Sequence, residues 1–142
     1  MLDPEAATVP IAYHIDTVTA LITTRCVGHV TVSEVLEHFR ELSRAWPAVD
    51  RLDVLLDLTE QTSLPTLLEL QQVAGEIETQ IGQHRFGRCA VVTDRDLIQQ
   101  SMHMFEVLVN RFFDEIRVFR TLRSAVEWLD PRLNPTRTLT RQ

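Results

Sequence analysis

The stretch LDVLLDL, residues 52–58, decides the fold of this 142-residue chain. Five of its seven residues are apolar, and they form a nearly continuous run. A strand with one solvent-exposed face alternates apolar and polar residues, whereas a run of this kind is typical of a strand covered by helices on both faces. We therefore place residues 52–58 at the centre of a sheet.

Segments on both sides of this run alternate between strand and helix patterns. Upstream, IAYHID and VTALITTRCV predict a β-hairpin with a tight turn at Asp16-Thr17, because β-branched residues dominate and apolar positions alternate. HVTVSEVLEHFRELSRAW then predicts a helix that opens on a capping box of Thr31 and Glu34. Downstream, RCAVVTD and EIRVFR predict two more strands, each between helical segments.

This element order predicts the fold class. Each helical crossover returns the chain in the same direction, so strands joined by helices are parallel. The sequence therefore predicts an α/β sandwich with an N-terminal β-hairpin followed by a mostly parallel sheet, in total about five strands and about four helices. We expect one domain over residues 11–130, an N-terminal extension over 1–10 and a poorly ordered tail over 131–142, which has two prolines and little apolar content.

Helix boundaries follow from capping residues. The second helix is predicted to begin at Leu64 and end at Gly82, with Ser63 as N-cap and Pro65 in the first turn. Asp94 or Asp96 is predicted to cap the third helix, DLIQQSMHMFEVLVNRFF. Thr121 is predicted to cap the last helix.

Composition excludes several function classes. The chain has 14 basic and 20 acidic residues, a net charge of −6, and every basic residue is an arginine scattered among acids. Nucleic-acid binding is not expected, because it depends on clustered cations. No segment has the apolar length of a signal peptide or a membrane span, so we expect a cytoplasmic protein. Cys26 and Cys89 lie in different predicted strands, which is the usage of free thiols.

Motifs for catalysis or metal binding are weak. Cys26 and His29 have a C-x-x-H spacing, but a zinc site needs three or four ligands. With four glycines, the chain has no G-x-G-x-x-G motif, no P-loop and no G-x-S-x-G elbow. Asp57 is the best-placed carboxylate, although capping of the following turn is the favoured interpretation of this residue. The sequence therefore predicts no enzyme, no cofactor and no metal. An enzyme that uses Asp57 and the hydroxyls after it is kept as the least favoured of three hypotheses.

The second and third predicted helices carry more apolar surface than one core stripe requires. On the third helix, the residues that flank the core face or point away from it are Leu97, Met104, Val107 and Phe113. On the second helix, Leu64 and Leu68 lie off the core stripe. Such extra area indicates a protein interface, the wall of an apolar pocket, or a core face broadened by neighbouring loops.

Three blocks resemble one known family. RCAVVTD (88–94), MHMFEVL (102–108) and EIRVFRTLRSAVEWL (115–129), in this order and spacing, resemble the C-terminal half of the SpoIIAA-like family. These proteins are relatives of STAS domains, which share their shape with the Sec14 lipid-binding fold. The N-terminal half is similar in layout, so the resemblance covers about residues 11–129. It implies a STAS-like fold and a regulatory binding role.

The STAS resemblance draws attention to Ser63. In STAS regulators, the strand that matches VLLDL is followed by a phosphorylatable serine in an Asp-Ser-Ser-Gly setting at a helix N-terminus. Asp57-Leu58-Thr59 resembles the start of that segment, but Thr62-Ser63-Leu64-Pro65 lacks the aspartate and the glycine. Ser63 is therefore a phosphoacceptor candidate for which the helix-cap interpretation is favoured.

Two further hypotheses complete the sequence-based interpretation. The favoured one is a non-enzymatic STAS-like regulatory module that binds a protein partner or itself as a homodimer, through the third-helix residues Leu97, Met104, Val107 and Phe113. The alternative is a carrier or sensor of an apolar small molecule or lipid in a Sec14-like pocket. That pocket is predicted between the second and third helices, with candidate residues Asp57, Leu64, Leu68, Met102 and Phe105.

Overall fold

A computed structural model describes residues 9–81 and 84–130 of the chain. Its strands are β1 (Ile11–Asp16), β2 (Leu21–Gly28), β3 (Arg51–Gln61), β4 (Arg85–Val92) and β5 (Glu115–Phe119). Its helices are α1 (Val32–Arg44), α2 (Leu67–Ile81), α3 (Asp96–Val109) and α4 (Leu122–Leu129), and a short 3-10 turn, Asn110–Phe112, follows α3. The predicted tail over 131–142, most of the predicted N-terminal extension and the predicted helix stop at Gly82 lie outside the described residues.

The five strands form one sheet in the order β1-β2-β3-β4-β5. The predicted hairpin is confirmed, since β1 pairs antiparallel with β2, and the pairs from β2 to β5 are parallel. In the hairpin turn, Asp16 accepts hydrogen bonds from the backbone N–H groups of Val18 and Thr19, and these bonds lower the pKa of the Asp16 carboxyl. The predicted central strand is β3, with two strands on either side.

Helices cover both faces of the sheet. Right-handed crossovers between sequential parallel strands place α1, α2 and α3 side by side on one face, where α1 packs against α2 and α2 against α3. On the other face, α4 packs across β3, β4 and β5. The smaller core under α4 consists of Leu55, Ala90, Val92, Ala125, Trp128 and Leu129. The larger core lies under α1 to α3.

Two predicted helix caps are confirmed. Thr31 Oγ1 accepts from the N–H of Glu34 at 3.2 Å, and Glu34 Oε1 accepts from the N–H of Thr31 at 2.8 Å, which completes the capping box of α1. Thr121 Oγ1 accepts from the N–H of Ser124 at 3.2 Å and caps α4. Local sequence therefore fixes where both helices begin.

The predicted start of the second helix is wrong. Helix α2 begins at Leu67, and its cap is Thr66: Thr66 Oγ1 accepts from the N–H of Glu69 at 3.1 Å, and Glu69 Oε1 accepts from the N–H of Thr66 at 2.9 Å. Pro65 disfavours a helical conformation for the residue before it, so Leu64 cannot belong to the first turn. Ser63 therefore does not cap this helix.

The predicted cap of the third helix is also wrong. Arg95 occupies the N-cap position of α3, without a side-chain cap hydrogen bond. Asp96 is the first helical residue, and its carboxylate pairs with Arg120 at 2.8 Å. A carboxylate in the first turn still favours the helix through the macrodipole, which is why the sequence pattern resembled a cap.

Candidate functional site

A cavity of about 320 Å³ lies within the larger core, between the sheet and the helices. Its lining residues from the strands are Ile11, Ile22, Thr24, Cys26, Val54, Leu56, Leu58, Gln61, Phe86 and Cys89. Those from α1, α2 and α3 are Val32, Val35, His38, Phe39, Leu42, Glu69, Leu70, Val73, Met102 and Phe105. Those from the connecting segments are His29, Val30, Thr31, Ser63, Leu64, Pro65 and Phe113. Packed interiors hold few voids larger than a water molecule, and this volume falls in the range of small-molecule pockets.

The strand pattern explains the floor of the cavity. On β3, Val54, Leu56 and Leu58 line the cavity, whereas Leu55 packs in the smaller core on the opposite face. The neighbouring strand β2 contributes the short side chains of Thr24 and Cys26 to the same floor. Short side chains at these central positions leave space that larger residues would fill.

The mouth of the cavity lies at the carboxyl ends of β2 and β3. The lining residues exposed to solvent are His29, Thr31 and Leu64, and Leu64 is 47% exposed. They belong to the β2–α1 and β3–α2 connections. Ligands of open α/β sheets bind in crevices at this edge, so the cavity opens where the fold class places its binding sites.

Ser63 joins the two connections at the mouth. Its Oγ accepts from the N–H of Val30 at 2.9 Å and donates to the carbonyl oxygen of Val30 at 3.1 Å. Gln61 Nε2 donates to the Ser63 carbonyl at 2.9 Å, and the N–H of Thr62 donates to the Gly28 carbonyl at 2.9 Å. Ser63 thus ties the rim of the cavity together. Its phosphorylation stays a prediction, and it would remove the hydroxyl proton that Ser63 donates to the Val30 carbonyl.

His38 is an unsatisfied polar residue in the cavity wall. Its Nδ1 is buried without a hydrogen-bond partner, and its ring contacts those of Tyr13 and Phe39 at centroid distances of 5.1 and 5.4 Å. Burial lowers the pKa of His38 to about 4, so the imidazole is neutral at pH 7. An unpaired buried polar atom costs about 1–3 kcal/mol, which a bound partner would recover.

The two cysteine thiols in the wall are unreactive. Burial, with a smaller contribution from the charge of Asp57, raises the pKa of the Cys26 thiol to about 12. Burial and then the charge of Asp53 raise the pKa of the Cys89 thiol to about 12. Both thiols are protonated at neutral pH, and a protonated thiol is neither an effective nucleophile nor a good metal ligand.

The structure brings some of the predicted pocket residues together. Leu64, Met102 and Phe105 line the cavity. Leu68 does not, because it is 66% exposed on α2, and Asp57 does not line it either. The cavity also involves the sheet and α1, so it extends beyond the predicted location between the second and third helices.

Asp57 has a structural role within strand β3. Its Oδ1 accepts from the N–H of Thr59 at 3.0 Å and from Thr59 Oγ1 at 2.6 Å. These are local hydrogen bonds of the kind that a capping residue makes, which the sequence favoured over a chemical role, but they lie inside a strand and not in a turn. Thr59 lies within β3, which continues to Gln61, so no separate turn follows residue 58.

Sequence reasoning missed His38 and Glu69 as lining residues. His38 lies three residues after Val35 and four before Leu42, a spacing that puts all three on one helix face, so periodicity could have identified it. The prediction of Phe113 as an interface residue is wrong. The 3-10 turn after α3 carries this ring into the core, where it is 8% exposed and stacks on Phe86 at a centroid distance of 4.6 Å.

A second feature is an exposed apolar surface on α2 and α3. We call it the α2/α3 surface; it consists of Leu67, Leu68, Leu97, Met104 and Val107, which are all exposed. Arg111, just after α3, pairs with Glu78 of α2 at 3.0 Å, which shows that Glu78 faces α3. Leu67 lies three helical turns before Glu78 and therefore on the same side of α2.

The described residues give no support for a metal site or a membrane span. Cys26 and His29 both line the cavity, but residues 9–81 and 84–130 contain no group of three or more His, Cys, Asp or Glu that could hold a metal ion. Within the same part of the chain, no helix has the length and apolarity needed to cross a bilayer.

Comparison with known proteins identifies the family. The profile of the SpoIIAA-like family matches residues 21–130, from β2 to the end of α4. The chain belongs to the SpoIIAA-like family. A crystal structure of an uncharacterized DUF3478-family protein with a SpoIIAA-like fold, from Shewanella loihica, superposes with a TM-score of 0.59 at 19% identity, covering 84% of this chain and 92% of that one. No curated protein matches the chain.

The solved structure bears on the fold alone at this level of identity. The sequence-based assignment to the SpoIIAA-like family and the predicted α/β fold are both confirmed.

Proposed function

We propose that this SpoIIAA-like protein binds a small apolar molecule in its cavity and acts as its carrier or sensor. The observation that carries this proposal is the cavity of about 320 Å³, lined mostly by aliphatic and aromatic side chains. The sequence favoured a protein-interaction module. The cavity gives the alternative the more specific support, because a void of this size leaves many lining atoms without contacts that a ligand would supply.

The proposed role is non-enzymatic. The reactive groups near the cavity are engaged or inactive: Cys26 and Cys89 are protonated, and the hydroxyl of Ser63 is bonded to Val30. The carboxylate of Asp57 is bonded to Thr59. Nucleophilic catalysis needs an activated nucleophile with a base and an orienting group, and these residues do not form such a set.

Native mass spectrometry tests the proposal directly. The protein is purified gently from its own host and compared with the same sample after denaturation. We expect an adduct of small-molecule mass that is present in the native spectrum and absent after denaturation, because a non-covalent ligand leaves an unfolded cavity. A bare native protein that also takes up no toluene or 1-octanol in solution would contradict a carrier role.

Protein binding through the α2/α3 surface is the second candidate function. Its five exposed apolar residues lie on two helices that contact each other, and exposed apolar patches mark interaction sites. We expect the double variant Met104→Glu and Val107→Glu to abolish self-association, measured by light scattering across a concentration series. Val18→Glu is the control, since Val18 is 93% exposed on the distant hairpin turn. An oligomeric state that is equal in all three proteins would rule out this surface for self-association.

A further inference from the structure

We infer that the cavity selects an uncharged ligand, an apolar molecule that carries one neutral hydrogen-bonding group, and that it rejects carboxylates and phosphates. This inference rests on the proposed ligand-binding function and names the chemical class of the ligand. It follows from the charges in the wall, from the state of the two helix N-termini at the mouth, and from His38.

The described part of the wall has no arginine or lysine that could pair with an anionic ligand; its histidines are His38 and, at the exposed mouth, His29. Among the described lining residues none is arginine, and the whole chain contains no lysine. The one carboxylate among them, Glu69, adds negative charge at the mouth. Arg40, two residues after His38, pairs with Glu76 of α2 at 3.0 Å and does not line the cavity. A buried anion without a cation or several oriented donors is strongly disfavoured.

The helix N-termini near the mouth offer no substitute for a cation. Free N–H groups at a helix N-terminus often bind anions. At α1, however, the carboxylate of Glu34 accepts from the N–H of Thr31, and at α2 the carboxylate of Glu69 accepts from the N–H of Thr66. Each terminus therefore already holds a carboxylate from its own capping box, which opposes a second anion.

His38 is the partner in the wall for the ligand's neutral hydrogen-bonding group. It lines the cavity, its Nδ1 has no partner, and burial keeps the ring uncharged. A neutral imidazole presents one donor and one acceptor nitrogen. A ligand hydroxyl that donates to the unprotonated nitrogen would satisfy it. The geometry thus favours an alcohol or phenol over the corresponding acid.

Paired probes of equal chain length test this selection. Isothermal titration at pH 8 compares 1-octanol with octanoate, and toluene serves as an apolar probe without a hydrogen-bonding group. We expect octanol to bind at least about tenfold more tightly than octanoate, because the acid would lose its hydration without a partner. Equal affinity for octanol and octanoate would overturn the inference and leave the proposed function standing. Absence of binding by all three probes would overturn both.

Two variants assign the selection to residues. His38→Phe keeps an aromatic ring and removes the nitrogens, so octanol affinity should fall about tenfold while toluene affinity stays within twofold. His103→Phe, on the exposed face of α3, is the matched control and should change neither. Leu64→Arg places a cation at the mouth and should raise octanoate affinity by about tenfold. A parallel loss of octanol and toluene binding in His38→Phe would mean that the residue only shapes the wall.

Discussion

Replacing Val54 and Val73 together with phenylalanine will abolish probe binding while the protein stays folded. Val54 on β3 and Val73 on α2 line the cavity from the sheet and from the helix layer. The two larger rings would occupy the space that a ligand needs, so affinity for toluene should fall by at least about 100-fold, more than the tenfold effect of losing one hydrogen bond. Added side-chain atoms in an existing void gain dispersion contacts, so stability should change little.

Isothermal titration measures the toluene affinity, and circular dichroism measures whether the variant stays folded. Leu68→Phe is the control, because it enlarges a side chain on the same helix at a position that is 66% exposed and outside the cavity. Its toluene affinity should equal that of the parent protein. Overpacking can cost about 1–3 kcal/mol, so each single variant is also measured. Folded variants that bind toluene as tightly as the parent would show that the cavity is not the binding site.

The fold was predictable because its signals are local and agree with one another. The apolar run over 52–58 marked the central strand, and the capping box of Thr31 and Glu34 marked the start of α1. Both are set by residues close in sequence, and the structure has both where the pattern predicts them. Family resemblance and the strand–helix alternation then pointed to the same parallel sheet.

The error at Ser63 has an equally local cause. Ser63 before Leu64-Pro65 and Thr66 before Glu69 both resemble helix starts. Thr66 and Glu69 satisfy two orphan N–H groups reciprocally, whereas Ser63 could satisfy one, and Pro65 holds Leu64 out of the helix. Ser63 is thereby free to bond Val30 across the rim, and a bond between residues 33 positions apart cannot be read from sequence spacing.

The cavity was only partly predictable for a related reason. Apolar residues in excess of one core stripe indicated a pocket or an interface, and Met102 and Phe105 do line the cavity. Its full extent depends on how the sheet, with short side chains such as Thr24 and Cys26, packs against the layer of α1, α2 and α3. That packing is a property of the assembled layers, so the sequence predicted only the part of the pocket that the second and third helices line.

Replacing Trp128 with alanine will destabilise the protein by about 3–5 kcal/mol, the usual cost of removing a large buried aromatic ring. Trp128, on α4, is 8% exposed and packs against Phe119 at a centroid distance of 5.5 Å. The guanidinium groups of Arg88 and Arg117 also lie 5.3 and 5.5 Å from its ring, and they lose this contact. Urea denaturation measures the change in the free energy of unfolding.

The same variant separates the two faces of the sheet. Trp128 belongs to the smaller core, and the sheet stands between that core and the cavity. Toluene affinity of the folded fraction should therefore stay within about twofold of the parent, even though total stability falls. Leu122→Ala on the same helix is the matched control, since Leu122 is 46% exposed and its loss should cost under about 0.5 kcal/mol. A large loss of toluene affinity in folded Trp128→Ala would show that the two cores are coupled through the sheet, and ligand binding would then depend on α4 as well as on the helices that cover the cavity.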